Sequence, residues 1–365
     1  MRYAKGDGVA RDDAEAATWY RKAAEQGNAE AATWYRKAAE QGNAEAQLNL
    51  GRMYYKGEGV ARDYAEAVKW FSKAAEQGKA KAQANLGVMY EKGEGVARDD
   101  AEALKWYRKA AEQGNADAQT SLGWMYEKGE GVARDDAEAV KWYRKAAEQG
   151  NDYGQFNLGG MYREGEGVAR DDAEAMKWTR KAAEQVNAQA QNNLGAMYRE
   201  GDGVARDDAA AATWYRKAAE QGEAKAQANL GVMYEKGEGI ARDDAEALKW
   251  YRKAAEQGNA DAQLNLGRMY YKGDGVARDY AETAIWLRKA AEQGNAVAQT
   301  ILGSMYYTGE GVPRDYVGAY MWLSLAAAQG NEKAKDLLDV VEREIPPDQV
   351  AEAQKRASAW KPQTN

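Results

Sequence analysis

The sequence predicts an all-α solenoid of stacked helix-turn-helix repeats, and three observations carry that prediction. A 36-residue pattern recurs in register, its phase marked by Val60, Val96, Val132, Val168, Val204, Ile240, Val276 and Val312. A fixed period of this length signals units that each touch only their neighbours. Every period holds two stretches whose apolar residues fall at helical spacing, separated by a loop punctuated with glycine. The period also stays constant over most of a 365-residue chain, which argues for one continuous array rather than two or three globular domains.

Residues 44–79, AEAQLNLGRMYYKGEGVARDYAEAVKWFSKAAEQGK, show how one unit works. In the first helix Ala46, Leu50, Met53 and Tyr54 fall on one face of a 3.6-residue period. Gly51 sits beside Leu50 on that face. A helix-interior glycine costs about 1 kcal/mol relative to alanine, so its recurrence predicts close approach of the partner helix. Gly57 and Gly59 stop the helix, because glycine accepts the left-handed conformation found at helix ends. The second helix opens on Asp63 and Glu66 with the D-x-x-E spacing of a capping box, repeated at Asp99/Glu102, Asp135/Glu138, Asp171/Glu174, Asp243/Glu246 and Asp279/Glu282. Ala67, Trp70, Phe71, Ala74 and Ala75 form its apolar stripe, with Glu66, Lys69, Lys73 and Glu76 beside it for i+3 and i+4 pairing. Gly78 ends the helix, and an asparagine such as Asn43 or Asn115 caps the next first helix. One unit leaves an apolar side uncovered, so stability must come from stacking.

Residues 1–43 read as incomplete repeats. Residues 1–9 align with the latter half of a first helix, and a start inside a repeat suggests a shortened chain. AEAATWYRKAAEQGN then occurs twice, at 14–28 and 29–43, predicting helices near 13–26 and 29–41 that pack as an antiparallel pair. Eight full units follow over 44–331. Val186 replaces the helix-ending glycine, which disfavours a left-handed cap. Thr179 replaces the second aromatic, while Ala210 and Gly318 remove the capping-box acid. Near-identical text at 83–119 and 227–263 points to block duplication. Residues 332–361 read as C-terminal capping helices: Ala334, Leu337, Leu338 and Val341 mark one, Pro346-Pro347 a break, and 348–360 another. Residues 362–365 read as a tail, with the chain frayed from Lys361 on.

Composition narrows the function. The net charge is −7 with both signs interspersed and no basic patch, which argues against nucleic-acid binding. No apolar run approaches the roughly 18 residues of a membrane span. The chain has no cysteine and no histidine, removing disulfides, thiol and histidine-based catalysis, and ordinary zinc sites. No metal or cofactor is expected. Ser358 and Lys361 match an S-x-x-K spacing but stand alone without companion motifs, so no catalysis is expected from them. The compartment, cytoplasmic or exported, stays open, since a cysteine-free chain suits either redox environment.

The unit motif is carried, for example, by Ala118, Gln119, Leu122, Gly123, Met125, Tyr126, Gly129, Gly131, Val132, Asp135, Ala139, Trp142, Tyr143, Lys145, Ala146, Ala147, Gln149 and Gly150. It resembles the Sel-1-like repeat, a relative of the tetratricopeptide repeat, over about residues 1–331. The tail from Gly311 to Trp360 resembles the closing segment of bacterial members. The resemblance implies a right-handed α-superhelix that mediates protein–protein interactions, with bacterial members often exported to envelope or host-contact roles. This chain departs from the cysteine-rich branch of that family.

Repeats permit an internal comparison. Positions invariant among units serve packing, whereas varying positions are free to recognise something. The invariant row Arg62, Arg98, Arg134, Arg170, Arg206, Arg242, Arg278 and Arg314 therefore reads as structural, pairing with a neighbouring unit's acid. The variable face of the first helices, which lines the concave groove in tetratricopeptide-like stacks, is the candidate binding surface. Asn49, Asn85, Asn157, Asn193, Asn229 and Asn265 recur there, with Ser121 and Ile301 as exceptions. An amide row can serve an extended peptide backbone or bond the adjacent helix, and the sequence leaves both open. Around it Arg52, Arg268, Tyr55, Tyr271, Tyr307, Trp124 and Phe156 depart from the unit average, and Arg and aromatic side chains anchor binding hot spots. The expectation is a monomeric, non-catalytic scaffold holding a protein or peptide segment. The alternative is a carbohydrate or cell-wall ligand stacked on the groove aromatics.

Overall fold

In a computed structural model of the chain, residues 29–363 are described. They form nineteen helices and no strand. Helix α1 spans Ala29–Glu40. The first helices of the units are α2 (Ala44–Lys56), α4 (Ala80–Lys92), α6 (Ala116–Lys128), α8 (Asp152–Glu164), α10 (Ala188–Glu200), α12 (Ala224–Lys236), α14 (Ala260–Lys272) and α16 (Ala296–Thr308). Their partners are α3 (Tyr64–Glu76), α5 (Asp100–Glu112), α7 (Asp136–Glu148), α9 (Asp172–Glu184), α11 (Asp208–Glu220), α13 (Asp244–Glu256), α15 (Tyr280–Glu292) and α17 (Tyr316–Ala328). Two more, α18 (Glu332–Glu344) and α19 (Pro347–Ala359), follow. The expected pairing of α1 with a helix near 13–26 lies outside the described residues.

The chain divides into two compact units, residues 1–182 and 183–365, where a constant period had suggested a single array. The division falls inside α9, beside the two departures Thr179 and Val186.

Within both units the hairpins close in the same way. A methyl group built on Gly87 would lie 2.7 Å from the ring of Tyr107, and one on Gly231 equally close to Tyr251. Both tyrosines are buried. The recurring glycine is therefore the socket for the second aromatic of the facing helix. At Gly159 the facing atom is Thr179 Oγ1, which would sit 2.6 Å from such a methyl group.

The helix starts hold a correction. Asp63 Oδ1 accepts from Glu66 N at 3.0 Å, so the aspartate caps as expected. The reciprocal half of the capping box is absent, because Asp63 N already donates to Tyr54 O at 2.9 Å across the hairpin. Glu66 turns instead to Lys69 Nζ at 2.8 Å and Trp70 Nε1 at 3.0 Å. Losing the acid consequently leaves the cap intact: Asp207 still accepts from Ala210 N at 2.9 Å and Asp315 from Gly318 N at 3.0 Å. Lys73 does not pair with a carboxylate as expected but sits over the Trp70 ring, 4.5 Å from its centre.

The invariant arginines are structural, though mostly within their own unit. Arg98 makes a two-pronged pair with Asp100 at 2.9 and 3.0 Å and touches the next unit's Glu130 at 3.3 Å. Arg134 does the same with Asp136 and Glu166. Where the aspartate is replaced by Tyr64, Tyr280 or Tyr316, the arginine lies over the ring instead. These pairs are exposed and contribute little to stability.

A second invariant pair, unexplained by the sequence reading, ties one unit to the next. Gln83 Nε2 donates to Ala75 O at 3.0 Å, and its own Oε1 accepts from Gln113 Nε2 at 2.6 Å. In the second unit Gln227 bonds Ala219 O at 3.1 Å and accepts from Gln257 at 2.8 Å. Gln47, Gln119, Gln263 and Gln299 repeat the arrangement, and all are buried. Each first-helix amide spends its donor edge on the preceding unit and its acceptor edge on the second helix of its own unit.

Val186 is the one non-glycine residue with positive φ, at 69°, among the described residues. The sequence disfavours that conformation for valine, yet the junction imposes it. At the equivalent Gly78, Gly114, Gly150 and Gly222 nothing lies within 4 Å of an added Cβ. The cost is therefore in the backbone and not in a clash. Val186→Gly should raise stability by roughly 0.5–1.5 kcal/mol, the left-handed strain less the added chain entropy, as read by urea unfolding.

At the C-terminus Ala334, Val341, Ile345 and Ala353 are buried against Ala319, Tyr320, Leu323 and Ala326. The segment after α19 does not fray as expected. Trp360 meets Trp322 edge-on at 6.3 Å, and Gln363 N donates to Glu292 O at 2.8 Å. An apolar ring and a free helix-end carbonyl give it somewhere to dock.

Candidate partner-binding surface

Each asparagine of the candidate row precedes the buried leucine of its helix, so packing fixes where it sits. In the first unit Asn85 and Asn157 are half-buried and Asn49 is buried; in the second, Asn193, Asn229 and Asn265 are half-buried. The helix-bonding role is seen once. Asn229 Nδ2 donates to Asn192 Oδ1 at 3.1 Å, and Asn192 Nδ2 reaches Asn193 Oδ1 at 3.5 Å, linking α12 to α10. Asn49, Asn85, Asn157 and Asn265 have no side-chain hydrogen bond among the described residues.

Trp124 is half-buried and packs on the cluster of Tyr107, Leu122 and Met125. Arg52 and Arg268 are exposed and have no carboxylate partner among the described residues. Tyr271 is 40% exposed, its ring 5.4 Å from that of Tyr280. Tyr55 and Tyr64 make the same pair at 5.5 Å, Tyr307 and Tyr316 at 5.8 Å.

Three kinds of junction occur along this surface, set by Glu, Tyr or, at Arg163 and Arg199, Arg at one position of the first helix. In one kind Glu127 and Glu235 accept from Tyr143 and Tyr251, each at 2.7 Å, and Glu91 likewise accepts from Tyr107. Burial, reinforced by the adjacent carboxylate, pushes all three phenols far above their ordinary range, so they stay protonated donors. In a second kind Tyr55, Tyr271 and Tyr307 stand where the glutamate was, and Phe71, Leu287 and Leu323 stand where the phenol was. The hydroxyl–carboxylate pair is gone, and space opens in two of the three places. In the first unit a cavity of ≈ 250 Å³ is lined by Arg52, Tyr55, Lys56, Phe71, Asn85, Val88 and Met89. In the second, one of ≈ 310 Å³ lies between α14, α16 and α18 over Leu287. At the third, Tyr307 donates to Glu344 at 3.0 Å.

The structure thus brings Arg52 together with Asn85, and Arg268 with Tyr271, while Trp124 and Asn157 line neither cavity. The sequence reading missed the junction types. Their signal was present as an exchange sixteen residues apart, Glu/Tyr against Tyr/Phe or Tyr/Leu, with Arg163/Thr179 and Arg199/Tyr215 outside both.

The Sel1 repeat family matches residues 1–28, 29–43, 44–79, 80–115, 116–151, 152–187, 188–223, 224–259, 260–295 and 296–331. The chain belongs to the Sel1 repeat family. It is similar to c5321, a protective antigen of uropathogenic Escherichia coli with an SLR fold, at 38% identity and TM-score 0.55, covering 98% of this chain and 89% of that one. A Sel1 repeat protein from Oxalobacter formigenes shares 37% identity at TM-score 0.63, over 85% of this chain and 89% of that one. A signal-transduction ATPase with a tetratricopeptide repeat sensor from Pyrococcus horikoshii, 14% identical at TM-score 0.51 over 87% of this chain and 53% of that one, shares the fold alone. A search among curated proteins returned no match. Sel1 repeat proteins generally mediate protein–protein interaction. No described helix is long and apolar enough to cross a membrane.

Proposed function

We propose that this Sel1 repeat chain is a non-catalytic scaffold that holds a segment of a partner protein along its first helices. The observation that carries this reading is the set of amides at Asn49, Asn85, Asn157 and Asn265, which have no partner inside the described residues. An amide that gives and accepts one hydrogen bond at successive steps suits an extended backbone. The flanking Arg and aromatic side chains supply anchors. Carbohydrate stacking has less support, because Trp70, Trp142, Trp178, Trp250, Trp286 and Trp322 are buried and Trp124 is half-buried. Ser358 Oγ donates to Gln354 O at 2.8 Å within its own helix, which gives no support to a nucleophile there.

Binding to a peptide array should be lost in the double variant Trp124→Ala, Asn157→Ala, with bound peptides weakened by about tenfold or more. Unchanged binding, with the melting curve preserved, would remove the first-helix face from consideration.

A further inference from the structure

We propose that the second-unit cavity at Arg268 and Tyr271 is a recognition pocket for an acidic peptide segment bearing a bulky apolar side chain. This rests on the scaffold reading above and names the chemistry of the partner.

The first argument is charge. The chain carries a net −7, yet no acid lines this cavity and three cations do: Arg268, Lys272 and Lys333. Lys272 has a loose contact with Asp274 at 3.8 Å. Arg268 and Lys333 have no ion-pair or hydrogen-bond partner among the described residues. An arginine left unpaired beside a concavity can receive a carboxylate with both prongs.

The second argument is shape and polarity. Leu287, Ile301 and Leu337 give the pocket apolar walls, and Tyr271 stands at its edge with its ring 40% exposed. Two consecutive first helices, α14 and α16, and the capping helix α18 contribute, so an extended chain crossing them passes over the pocket. A volume of ≈ 310 Å³ exceeds what one Leu or Phe side chain fills.

The third argument is what other junctions hold in this place. Glu91, Glu127 and Glu235 put a carboxylate at the position that Tyr271 occupies, and Glu344 brings one to Tyr307. These four junctions accommodate a carboxylate, while Arg163 and Arg199 put a cation at the same position in two others. At Tyr271 the chain supplies none, and the cations around it favour one from outside. The first-unit cavity shares Arg52, Tyr55 and Lys56 over Phe71, but there the chain does supply acids, Glu94 beside Tyr55 and Glu58 at 3.5 Å from Lys56.

The test uses the full chain and three fluorescein-labelled octapeptides. The acidic-apolar probe is Asp-Glu-Asp-Leu-Phe-Asp-Glu-Asp. The second has Lys at every acidic position, and the third has Ser-Ser for Leu-Phe. Fluorescence anisotropy should show binding of the first alone, weakened by added salt. Arg268→Ala with Lys333→Ala should weaken it by about tenfold or more. Arg268→Glu with Lys333→Glu should transfer preference to the lysine probe; both residues are exposed, so a melting curve matching the parent's is expected. Equal binding of the acidic probe by parent and variant, or preference of the parent for either other probe, would overturn the pocket assignment. So would no binding of the acidic probe. In each of those cases array binding that still depends on Trp124 would leave the scaffold reading standing, whereas its absence would remove both.

Discussion

Gly231→Leu is expected to lower the unfolding free energy by roughly 2–4 kcal/mol, because a buried ring already occupies the space the new side chain needs. Even the Cβ would lie 2.7 Å from Tyr251 Cδ1 and Cε1, and Tyr251 is fully buried with its hydroxyl held by Glu235. The ring has nowhere to withdraw without breaking that bond. Helix propensity pulls the other way by about 1 kcal/mol and loses. Gly160 supplies the control. It lies in α8 with nothing within 4 Å of an added Cβ, so Gly160→Ala should stabilise by about 1 kcal/mol. Urea unfolding of both variants measures the contrast, and the same sign for the two would contradict the socket role.

The second large effect is expected at Gln227. Gln227→Leu keeps the volume but deprives Gln257 Nε2 of the closer of its two acceptors and Ala219 O of one of its two donors. A cost of about 2 kcal/mol follows from leaving buried polar groups short of partners. Gln227→Glu separates hydrogen bonding from packing. Its carboxylate can accept from Gln257 but faces the Ala219 carbonyl without a proton to give. Burial and that carbonyl both raise the carboxyl pKa in the folded chain above its unfolded value. The folded state then holds the proton more tightly, so the variant is nearest the parent in acid and loses stability as pH rises through the carboxylate range. A penalty independent of pH would mean that the amide is not buried at this junction.

Much of the fold was legible because packing demands were written at fixed intervals. Leu50, Gly51, Met53 and the Trp-aromatic pair announce which faces must meet, and the glycines of each loop announce where helices stop. The chemistry between the faces was harder to read. Gln119 and Gln149 are visibly invariant, but an amide can bond almost anything, and only the structure shows the two joined within their unit at 2.7 Å while Gln119 reaches back to Ala111 O at 3.0 Å. The capping box failed for a related reason: local spacing cannot reveal that Asp63 N is already engaged by Tyr54 O from the facing helix. Of the candidate surface, composition pointed to Arg52, Arg268 and Tyr271 individually. What joins Arg268 to Lys333 is a stacking distance of nearly two periods, which no local pattern encodes.

The glutamine relay has a genetic corollary. Every unit offers its successor the same alanine carbonyl and receives the same glutamine amide in return, so this contact re-forms whichever unit follows. An unequal crossover that adds or drops 36 residues leaves each seam chemically unchanged, in keeping with the near-identical blocks at 83–119 and 227–263. Length is thereby free to drift, and a Tyr/Leu junction travels to its new place with its unit, opening a pocket only where the helices that follow leave room for one.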